Sequence, residues 1–360
     1  MLPVKAGLRY GYSTGTCAAA ATRAALLMLL QQKTVESIRL KIPAGLELEL
    51  PVSDQAWGES WAVCSIVKDA GDDPDITAGI KIFARVEKLT TSDFILEAGE
   101  GIGKVTKPGL QIPPGEAAIN PVPRRMIAQQ VKELLPLNQG IKVIISAPEG
   151  VKLAQRTFNP RLGIVGGISI LGTSGLVEPK SVDACRTSLV LALDIAVMSG
   201  VTELTLVPGY LGERFVREQL NITGDAVVQM GNYVGFMLQE AVKRGFKSIR
   251  LAGHIGKLIK VAAGHFDTAA VKADDRLETM MRFASQAGAG SKLLDELSRL
   301  STAEAGVELL AENNLLGICD EIAREVCRKA GELVQNQARL SCILYSFQRG
   351  IIGQSTISFT

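Results

Sequence analysis

Glycine-rich turns that follow apolar runs have the clearest chemical use in this sequence. Gly172-Thr173-Ser174-Gly175, Pro208-Gly209-Tyr210, Gly231-Asn232 and Gly253-His254-Ile255-Gly256 each follow a strand-like apolar run and introduce a helix-like one. Glycine there permits a tight turn and close backbone approach, and the helix start behind it offers unpaired N–H groups and a partial positive charge. The pattern suits a nucleotide-like or polyanionic ligand, although tight turns alone explain the glycines about equally well. Gly163-Ile164-Val165-Gly166-Gly167 has a loose dinucleotide spacing but precedes the best strand-like run instead of following it. Glu213 is the nearest acidic residue for a nucleotide ribose.

Only two histidines exist, His254 and His265. His254 falls in a strand-end loop, where a proton donor or ligand contact belongs; His265 precedes Phe266-Asp267-Thr268 in a second turn. Pairing with backbone carbonyls is the competing account of both, and the favoured one for His265. Two histidines without a set of carboxylates or cysteines make no zinc or iron site, so no metal ligands are expected. Basic residues gather near glycine or proline at Lys104, Lys107, Arg124, Arg125, Arg156, Arg161, Lys180, Lys257 and Lys260. Arg124, Arg125 and Lys257 fall in first helical turns, where a cation opposes the helix dipole and an anionic ligand would supply a reason for it. Gly253 to Lys257 is no Walker A loop, because the glycine spacing is short and no Ser or Thr follows the lysine.

These residues need elements to hold them. After Ser13-Thr14-Gly15-Thr16, the alanine- and leucine-rich run Cys17 to Leu30 predicts a buried helix with Ser13, Thr14 or Thr16 as its cap. Short β-rich runs from Ser37 to Thr106 predict an antiparallel meander, and Asn120-Pro121-Val122-Pro123 opens a helix to about Leu135. From Gly163 onward, strands (Ile164 to Leu171, Leu204 to Val207, Ala226 to Met230, Ile249 to Ala252) alternate with helices. That rhythm predicts a parallel sheet with ligands beyond its carboxyl ends. Consecutive helices follow from about Ala273 to Val334, then a final strand from Leu340 to Tyr345. The fold class is therefore an α+β domain over residues 1–160, followed by an α/β Rossmann-like domain with a mostly parallel sheet over 161–360.

Composition narrows the function. With 39 Lys and Arg against 37 Asp and Glu, there is no field of the kind a nucleic-acid or polybasic membrane binder carries, so the partner is a small molecule. Six cysteines without a C-x-x-C pair argue against a zinc or disulfide framework and for a reducing cytoplasm. Ala24 to Leu30 is too short to span a bilayer and lacks a cleavage pattern.

Several runs taken together resemble the CbiD family of cobalt-precorrin-5B C(1)-methyltransferases. They are Leu8-Arg9-Tyr10-Gly11-Tyr12-Ser13-Thr14-Gly15-Thr16-Cys17-Ala18-Ala19-Ala20, Gly101-Ile102-Gly103-Lys104-Val105-Thr106-Lys107-Pro108-Gly109-Leu110, and Ala118-Ile119-Asn120-Pro121-Val122-Pro123-Arg124. Further runs are Gly167-Ile168-Ser169-Ile170-Leu171-Gly172-Thr173-Ser174-Gly175, Gly231-Asn232-Tyr233-Val234-Gly235 and Gly253-His254-Ile255-Gly256-Lys257-Leu258. The resemblance implies methyl transfer from S-adenosyl-L-methionine to C1 of cobalt-precorrin-5B, giving cobalt-precorrin-6A in anaerobic cobalamin (vitamin B12) biosynthesis, with cobalt present only inside the tetrapyrrole. On that reading Gly172, Thr173, Ser174, Gly175, Gly209, Gly231 and Asn232 hold the donor. Ser13, Thr14, Thr16, Lys107, Asn120, Arg124 and Lys257 face the macrocycle, with His254 and His265 as candidate catalytic groups. No membrane or nucleic acid is involved; a homo-oligomer and transient contact with other corrin-pathway enzymes fit. Family members often carry Thr-His-Ser where this chain has Thr268-Ala269-Ala270, which leaves His265 as a stand-in. A noncatalytic corrinoid carrier and a nicotinamide-dependent reductase are the rival readings.

Overall fold

Alanine favours a helix by itself, and its small side chain lets neighbouring elements come close; the first unit is built around such a helix. The computed structural model describes residues 2–5, 7–136, 138–179, 182–269 and 274–358, and the chain divides into two compact units, Met1–Ala184 and Cys185–Thr360. In the first, α1 (Thr14–Gln31) is buried along almost its whole length. A hairpin of β1 (Ser37–Lys41) and β2 (Glu47–Pro51) pairs antiparallel. β3 (Ser53–Trp57), β4 (Trp61–Val67), β5 (Lys81–Lys88) and β6 (Phe94–Ala98) enter one sheet with β7 (Ile141–Ser146), which follows α2 (Pro121–Leu134). The strand order is β3-β4-β5-β7-β6. The expected antiparallel meander is corrected here, because β7 inserts between β5 and β6 and runs parallel to β6. α1 packs on β4, β5 and α2, its small side chains admitting the sheet closely.

The run from Ile164 to Leu171 is not a strand of the second unit's sheet. Ile164–Val165 pairs with Lys104–Val105, Ile168 and Ile170 bridge to Ile102 and Ile119, and Leu176–Val177 pairs with Gly11–Tyr12. The division accordingly falls after Ala184 and not after residue 160: the backbone hydrogen bonds of this stretch are made with the first unit, whatever its hydrophobic rhythm suggests.

The division falls in the first turn of α3 (Val182–Met198), and the second unit continues with β8 (Glu203–Val207), α4 (Tyr210–Leu220), β9 (Val227–Gln229), α5 (Val234–Lys243), β10 (Ser248–His254) and α6 (Ile255–Ala262). Then come α7 (Asp274–Gln286), α8 (Ser291–Ser298), α9 (Ala303–Glu312), α10 (Ile318–Leu333), β11 (Arg339–Ser346) and β12 (Gly350–Ile357). The sheet order is β9-β8-β10-β11-β12, parallel except for β12, which turns back on β11. β12 is a strand that sequence periodicity does not disclose. Alternate strand residues point to opposite faces. Leu206, Leu251 and Cys342 join the large core with α5, α6 and α10; Val207, Ala252 and Ile343 meet Phe215 and Val216 of α4 on the other face. The chain leaving β8 goes to β9 on one side, while the chain leaving β10 goes to β11 on the other. Connections that diverge in this way open a crevice at the carboxyl ends of β8 and β10.

Candidate active site

That crevice is bordered by Pro208-Gly209 after β8 and by the end of β10 at His254. Gly209 is the N-cap of α4 with φ of 171° and no side-chain cap. This is extended backbone that any residue adopts, and a Cβ placed there would meet nothing within 4 Å. Neither conformation nor packing demands glycine, so close approach of a ligand is the remaining physical use for it. Glu213, one turn into α4, accepts from Gln229 Nε2 at 2.6 Å and so stands at the end of β9.

His254 is fully engaged. Its Nδ1 accepts from the Gly256 N–H at 3.1 Å, which puts the proton of the neutral ring on Nε2, where Glu304 Oε2 lies at 2.6 Å. Glu304 Oε1 in turn accepts from the N–H groups of Phe347 and Gln348 at 2.8 and 3.3 Å. The ring stacks on Phe347 with centroids 4.4 Å apart and meets Tyr345 edge-on, and Tyr345 stacks on Phe215. With both nitrogens committed, His254 joins the end of β10, the start of α9 and the β11–β12 turn, and offers no free base. His265 Nε2 lies 3.4 Å from Asp275 Oδ2 at a half-exposed position. The described geometry gives it an acidic partner. Ala270, the other altered position of the Thr-His-Ser comparison, lies outside the described residues, as does Lys180.

Asn232 and Lys257, expected from the sequence to serve different ligands, meet directly: Lys257 Nζ donates to Asn232 Oδ1. Thr268 N–H donates to the Asn232 carbonyl at 2.9 Å, and Lys260 Nζ donates to the Thr268 carbonyl at 2.8 Å. Burial pushes both ammonium groups below the ordinary lysine value. Lys260 adds to this at Lys257, with Asp267 opposing; at Lys260, Arg276 adds and Asp275 and Asp267 oppose.

The candidates of the first unit are used differently. Ser13 Oγ caps α1 by accepting from Thr16 N–H at 3.2 Å. Thr14 Oγ1 accepts from Leu171 N–H at 2.9 Å, and Thr16 Oγ1 donates to the Gly175 carbonyl at 2.7 Å. All three residues are buried. The Thr14 and Thr16 hydroxyls tie α1 to Leu171 and Gly175, while the Ser13 hydroxyl is spent on the cap of the helix. A Cβ on Gly172 would lie 2.3 Å from Ser13 Oγ, and one on Gly175 2.8 Å from Ile42 Cβ, both at positive φ. Packing and left-handed backbone therefore account for these glycines. Thr173 and Ser174 belong to the same loop of the first unit, with Ser174 Oγ accepting from Leu176 N–H. Arg124 donates to the carbonyls of Ile119 at 2.7 Å and Ala117 at 3.1 Å, and pairs with Glu116. That is why a cation is found in the first turn of α2. Asn120 is the N-cap of α2 without a side-chain cap bond. Lys107 lays its stem against Gly163. In the same loosely dinucleotide-like run, Gly167 abuts Gly101 so closely that a Cβ on Gly167 would lie only 2.1 Å from the Gly101 carbonyl oxygen.

A family model described as CbiD matches residues 2–179, and one described as CbiD, C-terminal domain, matches residues 267–356. The chain belongs to the CbiD family. A cobalt-precorrin-5B C(1)-methyltransferase of Photorhabdus laumondii subsp. laumondii is 44% identical over 350 residues, covering 96% of this chain and 93% of that protein. Its counterpart in a Thermoanaerobacter species is 44% identical over 350 residues, covering 97% and 95%. A crystal structure of a cobalamin biosynthesis protein (cbiD) from Archaeoglobus fulgidus is 28% identical, covers 72% of this chain and 82% of that one, and has a TM-score of 0.39. Among the described residues of this CbiD chain no helix is long and apolar enough to cross a membrane.

Three further features carry no signal in the sequence. Glu304 sits fifty residues beyond its histidine partner with no local motif. Lys260 reads as one more helix lysine, yet is buried. Lys68, also buried, pairs with Asp75 at 2.6 Å. At Asp75 burial raises the carboxyl pKa, while the charge of Lys68 and hydrogen bonds from Lys68 and Thr77 outweigh it, so the net shift is downward.

Proposed function

We propose that this CbiD chain moves the methyl group of S-adenosylmethionine to C1 of cobalt-precorrin-5B, giving cobalt-precorrin-6A on the anaerobic route to cobalamin. The reaction is supported by the names of relatives 44% identical over nearly the whole chain. The place is supported by the sheet edge of the second unit, which we read as Rossmann-like. Gly209 is the observation that carries it: an open, unstrained glycine at the head of an eleven-residue helix, beside the crevice where the strand connections diverge.

The donor brings an electrophilic methyl on a sulfonium, so the chain's task is placement. Gly209 leaves room at the crevice, and the uncapped first turn of α4 presents backbone N–H groups to a polar ligand. Glu213, held by Gln229 at the end of β9, is the carboxylate assigned to the ribose hydroxyls. Asn232 and Lys257 offer donors to a carboxylate, and the His254–Glu304 pair fixes Phe347 at the crevice mouth. Alignment of donor and acceptor supplies up to ~7–11 kcal/mol of a barrier without any nucleophilic side chain. This division moves the donor role away from Gly172–Gly175 and leaves it with Gly209, Gly231 and Asn232. A reducing cytoplasm suits six free thiols.

The test is Gly209→Val. The extended backbone accepts valine and the space around it is empty, so the melting temperature should stay within a few degrees of wild type. Donor affinity, measured by titration calorimetry, should fall at least about tenfold, a loss of some 1.4 kcal/mol. Unchanged donor affinity in the folded variant would remove the donor from this crevice.

A further inference from the structure

Lys260 is only 9% exposed and Lys257 is partly buried, yet among the described residues neither has a carboxylate oxygen within 4 Å. The nearby acids are committed elsewhere: Asp267 accepts from the Ala269 N–H, and Asp275 faces His265. Arg186 adds a third cation. Its guanidinium lies 5.2 Å from the ring centre of Tyr233, the neighbour of Asn232, and 5.1 Å from that of Phe236. Its Nε is the one buried side-chain nitrogen or oxygen without a hydrogen-bond partner among the described residues. Asp267 and Asp275 act on the lysines only from a distance, and holding cations out of water with no carboxylate in contact is costly, so a fold selected for stability alone would pair them or replace them by apolar groups.

Their remaining donors define what would neutralise these cations. Lys257 uses one N–H on Asn232 Oδ1 and Lys260 one on the Thr268 carbonyl, leaving two on each. Because Asn232 Oδ1 is occupied by Lys257, its Nδ2 is the end left for a ligand. Unused donors and net positive charge select an anionic acceptor over an alcohol, amine or amide.

We propose that Asn232 and Lys257 form a carboxylate-binding subsite, with the buried Lys260 and the half-buried Arg186 as the charges that strengthen it. The proposal rests on the methyl-transfer reading for its choice of ligands: the carboxylate of the donor's methionine portion, or an acetate or propionate arm of the macrocycle.

The experiment is titration calorimetry on the full-length chain and on Lys257→Met and Lys260→Met, with two pairs of probes. One is S-adenosylmethionine and its decarboxylated analogue; the other is cobyrinic acid, a corrin polycarboxylate, and its fully methyl-esterified form. The wild type should prefer the acid of one pair, and Lys257→Met should lose about tenfold or more on that acid while binding its carboxylate-free analogue as before. The pair that responds identifies the source of the carboxylate. Lys260→Met should weaken the same acid while staying folded, the Thr268 carbonyl it strands offsetting the buried charge it removes; unchanged affinity for that acid in the folded variant overturns its part. Equal affinity for acid and analogue in both pairs overturns the subsite and leaves the methyl-transfer reading standing. Failure of wild type to bind S-adenosylmethionine even with corrinoid present counts against that reading instead, and the corrinoid pair then decides the subsite alone.

Discussion

Arg124 opposes the dipole of α2, and its partners show why it is there. The guanidinium turns back from the first helical turn to the carbonyls of Ile119 and Ala117, of which Ala117 also accepts from the Ile119 N–H. Removing it with Arg124→Ala should cost about 1–3 kcal/mol, the penalty for stranding the buried Ile119 acceptor. Affinity for donor and for corrinoid should be unchanged in the folded variant. Urea unfolding and calorimetry check both halves; a selective loss of corrinoid binding at full stability would return Arg124 to the ligand. His254 makes a related point. Residue type and loop position suggest a proton carrier, but the Gly256 N–H and Glu304 occupy both ring nitrogens, so its contribution is to hold the Phe347 turn against the end of β10.

Elements decide which glycines serve chemistry. Gly172 and Gly209 look alike in sequence, each after an apolar run and before a helix, but Gly172 has φ of +129° and Ser13 against it, whereas Gly209 is extended and open. Gly172→Ala should therefore destabilise by at least about 2 kcal/mol, from left-handed backbone and overpacking together. The urea midpoint followed by tryptophan fluorescence reports on this unit, since Trp57 and Trp61 are the only tryptophans and both lie in it. A variant with wild-type stability and lost donor binding would contradict this assignment. The same contrast explains what is legible in the sequence. Helices and strands with strong periodicity, such as α3, β4 and the β8-to-β10 rhythm, are readable because each burial pattern is local. β7, β12 and the pairing of residues 164–177 are not, because strand partners are chosen by hydrogen bonds to distant segments. Among site residues, Asn232 and Lys257 are legible by type. Their direct contact, the Glu304 partner and the lack, among the described residues, of a carboxylate in contact with Lys260 depend on tertiary placement.

At the scale of the whole molecule, two hydrophobic cores carry different reporters. The tryptophans watch the first; Cys319, Cys327 and Cys342 lie in the second core. Burial pushes the thiols of Cys319 and Cys327 up to about 12 and that of Cys342 well above its ordinary value, so all three react slowly while folded. Cys185 is exposed and serves as the internal control. If the donor binds at the sheet edge of the second unit, it stabilises that unit by about 2.7 kcal/mol at a hundred times its dissociation constant. Thiol labelling along a urea series, resolved by site with mass spectrometry, should show the midpoints of Cys319, Cys327 and Cys342 moving to higher urea when donor is added. The tryptophan transition should move no further than these do. Protection of the tryptophan unit with no change at the three cysteines would place the donor in the first unit and reverse the assignment made from Gly209.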